Sequence, residues 1–202
     1  MKSLRFVQPV ALLLLSTVAF AQSGAPESSV APVPSEAQKS FAKMKSLAGE
    51  WTGPVTTDMS EAMKAKMGAD KLNPMRVSLR VTSRGNALVH ELQEAGTPLD
   101  ATKYDHPVTM FYLDGDQLAL IHYCDAGNRP RMTGKTSPDG KTVEFEFVDV
   151  TGRNQSQHMH HALFSIIDAD RHTEDWTFML GDQPIHAHFD LHRKSRGASP
   201  LW

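Results

Sequence analysis

A single cysteine, Cys124, among 202 residues excludes an internal disulfide, so stability has to come from a packed core. Charge of either sign is not in excess. Lys and Arg number 21 against 23 Asp and Glu, the net charge is −2, and the basic residues are dispersed. That pattern gives nucleic-acid binding no electrostatic support. Beyond the N-terminal segment no apolar run approaches the ~20 residues that a membrane-spanning helix needs. A G-x-S-x-G elbow or comparable nucleophile signature is also missing, so no catalytic motif stands out.

What is present begins with the N-terminus. Lys2 and Arg5 precede the apolar run Val10–Phe20, and Ala19-Phe20-Ala21 supplies a small-x-small cleavage pattern. Together they predict a signal peptide over 1–21, a mature chain from Gln22, and export to the periplasm or outside of a bacterium, with no transmembrane anchor after cleavage. Residues 22–35, with Pro26, Pro32 and Pro34 among Ala, Ser and Gly, read as a flexible leader. Residues 36–195 form one domain large enough for a sizeable core, and 196–202 read as a tail.

Within the domain, Ser35-Glu36 is a helix start signal, and Phe41, Met44 and Leu47 follow at spacings of three over 35–48. A second short helix is expected over 58–69, where Met59, Met63 and Met67 fall four apart, a lid or core stripe rather than a metal site. From Met75 the period becomes two. Val77, Leu79 and Val81 alternate with Arg76, Ser78, Arg80 and Thr82. Further strands are predicted over 87–93, 108–113, 117–124, 131–136, 142–150, 155–167, 173–180 and 185–194, joined by turns such as Asp114-Gly115-Asp116 and Ser137-Pro138-Asp139-Gly140. About ten strands with short sequential links predict an all-β, up-and-down antiparallel barrel with one or two short helices near its N-terminus. Closure removes exposed sheet edges.

Leu47-Ala48-Gly49-Glu50-Trp51-Thr52-Gly53 resembles the L-x-G-x-W-x-G opening strand of the calycin superfamily, which includes lipocalins, fatty-acid-binding proteins and nitrobindin-like barrels. The helical segment after the first strand is similar to the portal lid of the fatty-acid-binding branch. The resemblance implies structural roles for Gly49 and Trp51, and a basic residue of the closing strand, here Arg193, packed over the tryptophan. The chain, through its hairpin Leu113–Met132, also resembles exported lipocalin-like proteins of bacteria, a family without an assigned function.

The 10 histidines are the main candidates for chemistry. His186, His188, Asp190 and His192 share one face of the last strand, and Ile185, Ala187, Phe189 and Leu191 the other. The apolar set is expected inward and the histidines outward, which argues against a metal there although imidazoles at i and i+2 can chelate one. His158 and His160 either cap one mouth or point into it. His122 and Cys124 share a face with Leu118 and Leu120, with Tyr123 opposite. An inward His-x-Cys pair could bind a soft metal or haem iron, or simply fill space. Arg129 and Arg131 could grip a carboxylate or phosphate at a mouth, or stand solvated. Phe145, Phe147, Phe164, Trp176, Phe178 and Phe189 are expected inward, filling the barrel or lining a pocket.

Three functions are compatible with these residues. The leading one is an exported barrel, monomer or weak dimer, that holds a small apolar or amphipathic molecule, with Trp176, Phe178, Phe145, Phe147, His122, Tyr123, Arg129 and Arg131 as candidate contacts. The second is a haem or metal barrel, by analogy with nitrobindin-like proteins in which a histidine near the C-terminus binds iron; the candidates are His122, Cys124, His186 and His188. The third is a calycin-type enzyme using His122 and Cys124. No cofactor is required by the sequence.

Overall fold

The computed structural model describes residues 33–67 and 72–194. The expected signal peptide, most of the leader, the end of the second helix and the tail lie outside those residues.

The domain starts with helix α1 (Glu36–Lys45). Ser35 caps it reciprocally: its Oγ accepts the Gln38 N–H at 3.2 Å, and Gln38 Oε1 accepts the Ser35 N–H at 2.8 Å. Such a box contributes about 1 kcal/mol to a helix start. The face carrying Ala37, Ser40, Phe41 and Met44 is buried, and Leu47 extends it.

Eleven strand segments follow: β1 (Gly49–Gly53), β2 (Val55–Thr57), β3 (Met75–Thr82), β4 (Ala87–Glu94), β5 (Val108–Asp114), β6 (Gln117–Tyr123), β7 (Asn128–Thr136), β8 (Thr142–Gly152), β9 (Gln157–Ile166), β10 (Arg171–Leu180) and β11 (Gln183–Arg193). Helix α2 (Glu61–Met67) sits in the β2–β3 connection. The first wall strand is broken at Pro54 into β1 and β2, so the eleven segments make a closed ten-stranded antiparallel barrel. β1 closes it by pairing with both neighbours: Trp51 stands opposite Val77 of β3 and opposite Arg193 of β11. Past Pro54, β2 pairs with β11 only, Val55 opposite Phe189.

Most strand ends fall within a few residues of the expected ones. β7 begins earlier, at Asn128, and includes Pro130 beside the register shift at Arg131/Met132, where a missing N–H is tolerated. A second shift lies between Thr177 and Phe178.

The α1 end of the barrel is plugged. Phe41, Met44 and Leu47 join Trp51, Val77, Leu88, Leu118, Val143, Phe164 and Leu191 in one core whose members are almost fully buried. The Trp51 indole N–H donates to Leu47 O at 2.8 Å, fixing the helix exit to the first strand. The Arg193 guanidinium lies 4.0 Å over the indole and donates to Ala48 O and Ala169 O, both at 2.8 Å. Gly49, at φ +147°, lies directly under that guanidinium and leaves no room for a Cβ. Further in, Phe111, Phe145 and Phe164 meet with centroids 5.3 to 5.9 Å apart, and Gly134 makes room for the Phe145 ring. Each buried Phe contributes roughly 1.5–3 kcal/mol by its area, with about 0.5–1.5 kcal/mol more per ring pair.

Candidate functional site

Burial changes along the barrel axis. Most inward residues near α1 are closed off from solvent, with Leu113 and Ile166 at the strand ends half-buried, whereas at the opposite mouth Val55, Met75, Leu92, Phe147, Met159, Phe178 and Ala187 are all only half-buried. Between the plug and this mouth runs a polar layer that strand pairing brings together. His90 of β4 stands opposite Thr109 of β5, and Thr109 opposite His122 of β6. From the other wall β10 contributes His172, Glu174 and Trp176, which alternate inward with Phe178.

Glu174 is the centre of this layer and is 0 % exposed. Its carboxylate accepts from His90 Nε2 at 3.0 Å, from His172 Nε2 at 3.0 Å and from the Trp176 indole N–H at 3.0 Å. Burial by itself would raise this carboxyl. His90 alongside it and the hydrogen bonds from His172 and His90 outweigh that and hold it well below the usual carboxylate range. Glu174 is therefore an ionised carboxylate inside the barrel. His172 also packs edge-on against Trp51 at 4.2 Å, which links the layer to the plug.

His122 lies nearest the mouth, one residue before the end of β6. It is 3 % exposed, and its Nδ1 shares a hydrogen bond of 2.8 Å with Thr109 Oγ1. Its Nε2 is buried with no partner. Burial, with His90 adding to it, pushes this imidazole down to about 3, so it is neutral at ordinary pH. Trp176 stands 5.7 Å from His122 and 5.8 Å from His90, so the indole is the shared wall of both. The Nδ1 atoms of His90 and His172 are likewise buried and unpartnered.

The other sequence candidates are dispersed. Phe145 is locked in the aromatic core. Phe147 stacks 4.6 Å from His158 and 4.8 Å from His160 at the mouth, where His158 Nε2 and His160 Nδ1 are 3.1 Å apart. Tyr123 is exposed on the outer wall. Arg129 is exposed, and Arg131 pairs with Asp149 at 2.7 Å on the outer face. The alternation that places Cys124 beside His122 ends with β6 at Tyr123. Cys124 falls in the next turn and lines an outer cleft of about 470 Å³ with residues 101–106, Val108, Tyr123 and Asp125. Sequence reasoning missed His90, Thr109, His172 and Glu174. The signal was available for two of them: once Trp176 and Phe178 are inward, alternation puts Glu174 and His172 inward as well.

Among the described residues, two groups of metal-capable side chains lie outside the barrel. Asp105, Cys124 and Asp125 bring donor atoms within 4.8 Å of one another, as do Glu144, Glu146 and His161. Burial, then the charges of Asp105 and Asp125, raises the Cys124 thiol, which disfavours the thiolate a metal would need. The residues do not fit a haem held by a last-strand histidine. His186 and His188 are exposed on the outer face, where Nδ1 of each is bonded, to Thr177 Oγ1 at 3.0 Å and to Asp175 Oδ1 at 2.6 Å respectively.

No protein-family model matches the sequence, and no curated protein matches it. Among solved structures, the crystal structure of Rv2717c from M. tuberculosis is similar in fold, with a TM-score of 0.52 at 13 % identity over 77 % of this chain and 98 % of that one. A protein with unknown function from the DUF3598 family of Nostoc punctiforme aligns at 10 % identity over 75 % of this chain and 48 % of that one, with a TM-score of only 0.38. Likeness at this level shows fold alone, that of an antiparallel β-barrel.

Proposed function

We propose that this chain is an exported, lipocalin-like barrel that holds a small apolar or amphipathic molecule in its mouth half, acting as a monomer or weak dimer. The observation that carries this reading is the pairing of an accessible apolar mouth with a buried, unpartnered imidazole nitrogen beneath it. A buried polar atom without a hydrogen bond costs about 1–3 kcal/mol, and a bound polar group meeting His122 Nε2 removes that penalty. Concave, mostly apolar sites with a few convergent polar groups are the usual form of small-molecule pockets. Val55, Met75, Leu92, Phe178 and Ala187 supply the apolar surface, and the methionine-bearing segment between β2 and β3 is placed in the chain where a portal lid stands in the fatty-acid-binding branch. Export rests on the N-terminal pattern Lys2, Arg5, Val10–Phe20 and Ala19-Phe20-Ala21.

The test is binding of a neutral apolar fluorophore such as N-phenylnaphthylamine to the exported protein, with native mass spectra of the same preparation. Phe178→Asp puts an unpaired charge on the apolar wall and is expected to abolish uptake while the barrel stays folded by circular dichroism. Undiminished uptake by that folded variant refutes this placement of the ligand. Cell fractionation and the N-terminal residue of the purified protein, expected to be Gln22, test export.

A further inference from the structure

The mouth and its imidazole also select what the bound molecule can carry. We propose that the ligand has a single uncharged hydrogen-bonding group, a hydroxyl or carbonyl on an apolar body, seated on His122 Nε2, and that molecules ending in an ionised carboxylate or phosphate are rejected. This rests on the ligand-binding reading above.

Three features support the selection. The first is the bonding capacity of His122. Thr109 Oγ1 can donate to Nδ1 or accept from it by rotating its hydroxyl, so Nε2 can present either an N–H or a lone pair. That matches a carbonyl in one tautomer and a hydroxyl in both. The second is the lack, among the described residues, of a buried Lys or Arg to receive an anionic head group. The buried polar residues among those described are Ser40, His90, Thr109, His122, Asn128, His172 and Glu174, with no Lys or Arg. Among the described residues Arg80, Arg84, Arg129 and Arg153 are exposed rather than turned into this interior. Arg131 pairs with Asp149, Arg171 with Asp190 and Arg76 with Glu50 on the outer wall, and Arg193 covers Trp51. Lys64 of α2 pairs with Glu61. The third is a fixed negative charge in the same interior. The Glu174 carboxylate already takes both imidazoles and the Trp176 N–H, leaving none of these donors for a second anion. A carboxylate brought in would be stripped of water near the Glu174 carboxylate, with no buried Lys or Arg among the described residues to pair with it. Burial also keeps His122 from becoming an imidazolium that could receive it.

The experiment is a displacement series at neutral pH with N-phenylnaphthylamine bound to the exported protein, using dodecanol, a methyl ketone of equal length, dodecanoate and dodecyl phosphate. Dodecanol and the ketone are expected to displace the probe at concentrations at least about tenfold lower than the two anions, a difference of about 1.4 kcal/mol. His122→Leu is expected to erase that advantage while probe binding persists. His122→Gln, which restores a neutral donor and acceptor, is expected to recover part of it. Anions that compete as well as the alcohol overturn the selection but leave a binding barrel standing. An alcohol preference that survives in His122→Leu removes His122 as its seat. If neither the probe nor any member of the series binds, the ligand-binding reading falls and this inference with it.

Discussion

Replacing His122 by leucine should change how the stability of the barrel responds to acid, and the size of the change follows from its burial. The imidazole is 3 % exposed and titrates at about 3 in the folded protein against 6.5 for the free side chain. Because the folded value is the lower one, the unfolded chain binds the proton first as pH falls. Stability is therefore intact above 6.5 and is lost progressively as pH drops toward 3. Between about pH 7.5 and about pH 5 this one group removes about 2 kcal/mol, most of it below 6.5, where the slope approaches its limit of about 1.4 kcal/mol per pH unit. Glu174 acts in the same direction, since its folded carboxyl is also depressed, but its losses begin only as the unfolded carboxyl near 4.5 starts to protonate. The upper window thus isolates His122. His122→Leu leaves the Thr109 hydroxyl without its partner, a penalty of about 1 kcal/mol at every pH, and removes the titration. Urea unfolding followed by tryptophan fluorescence should show the variant losing about 2 kcal/mol less than wild type across that window. Difference measurements cancel the surface histidines common to both proteins. Equal losses in the two proteins would refute the burial argument for His122.

Other perturbations test the rest of the layer and the closure of the barrel. Glu174→Ala strands two imidazole donors and an indole N–H and should cost about 3–5 kcal/mol in urea unfolding, a large share of a typical domain's stability; a loss below about 1 kcal/mol would mean the layer is not held as described. Arg193→Ala removes the cation over Trp51 and two hydrogen bonds to the chain, so a fall of about 2 kcal/mol with altered tryptophan emission is expected. Gly134→Val drives a side chain into the Phe145 ring and should destabilise by about 1–3 kcal/mol, whereas Gly134→Val with Phe145→Ala should recover part of that loss.

Alternation and turn chemistry were enough to make the barrel legible. The period of two from Met75 onward, the Asp114-Gly115-Asp116 and Ser137–Gly140 turns, and the outward histidines of β11 all follow from local geometry, because a strand repeats its faces every second residue. The Leu47–Gly53 motif likewise placed Trp51 in the opening strand and Arg193 as its cover. What alternation cannot supply is which inward residues of different strands share a level, since register and tilt are set only when the sheet closes. Parity alone therefore pairs Cys124 with His122, but β6 ends before it, and the thiol falls in an outer cleft. Phe145 and Phe147 share a parity, yet one is locked in the core and the other stacks on histidines at the mouth.

By itself the sequence determined an all-β barrel with an N-terminal capped helix, because helix capping, strand period and turn residues are properties of neighbours in the chain. Only the tertiary structure decided that His90, Thr109, His122, His172, Glu174 and Trp176, drawn from four strands spread between residues 90 and 176, form one buried polar layer. Their charge and hydrogen-bonding state depend on the loss of water and on one another, and both are created when the two walls meet.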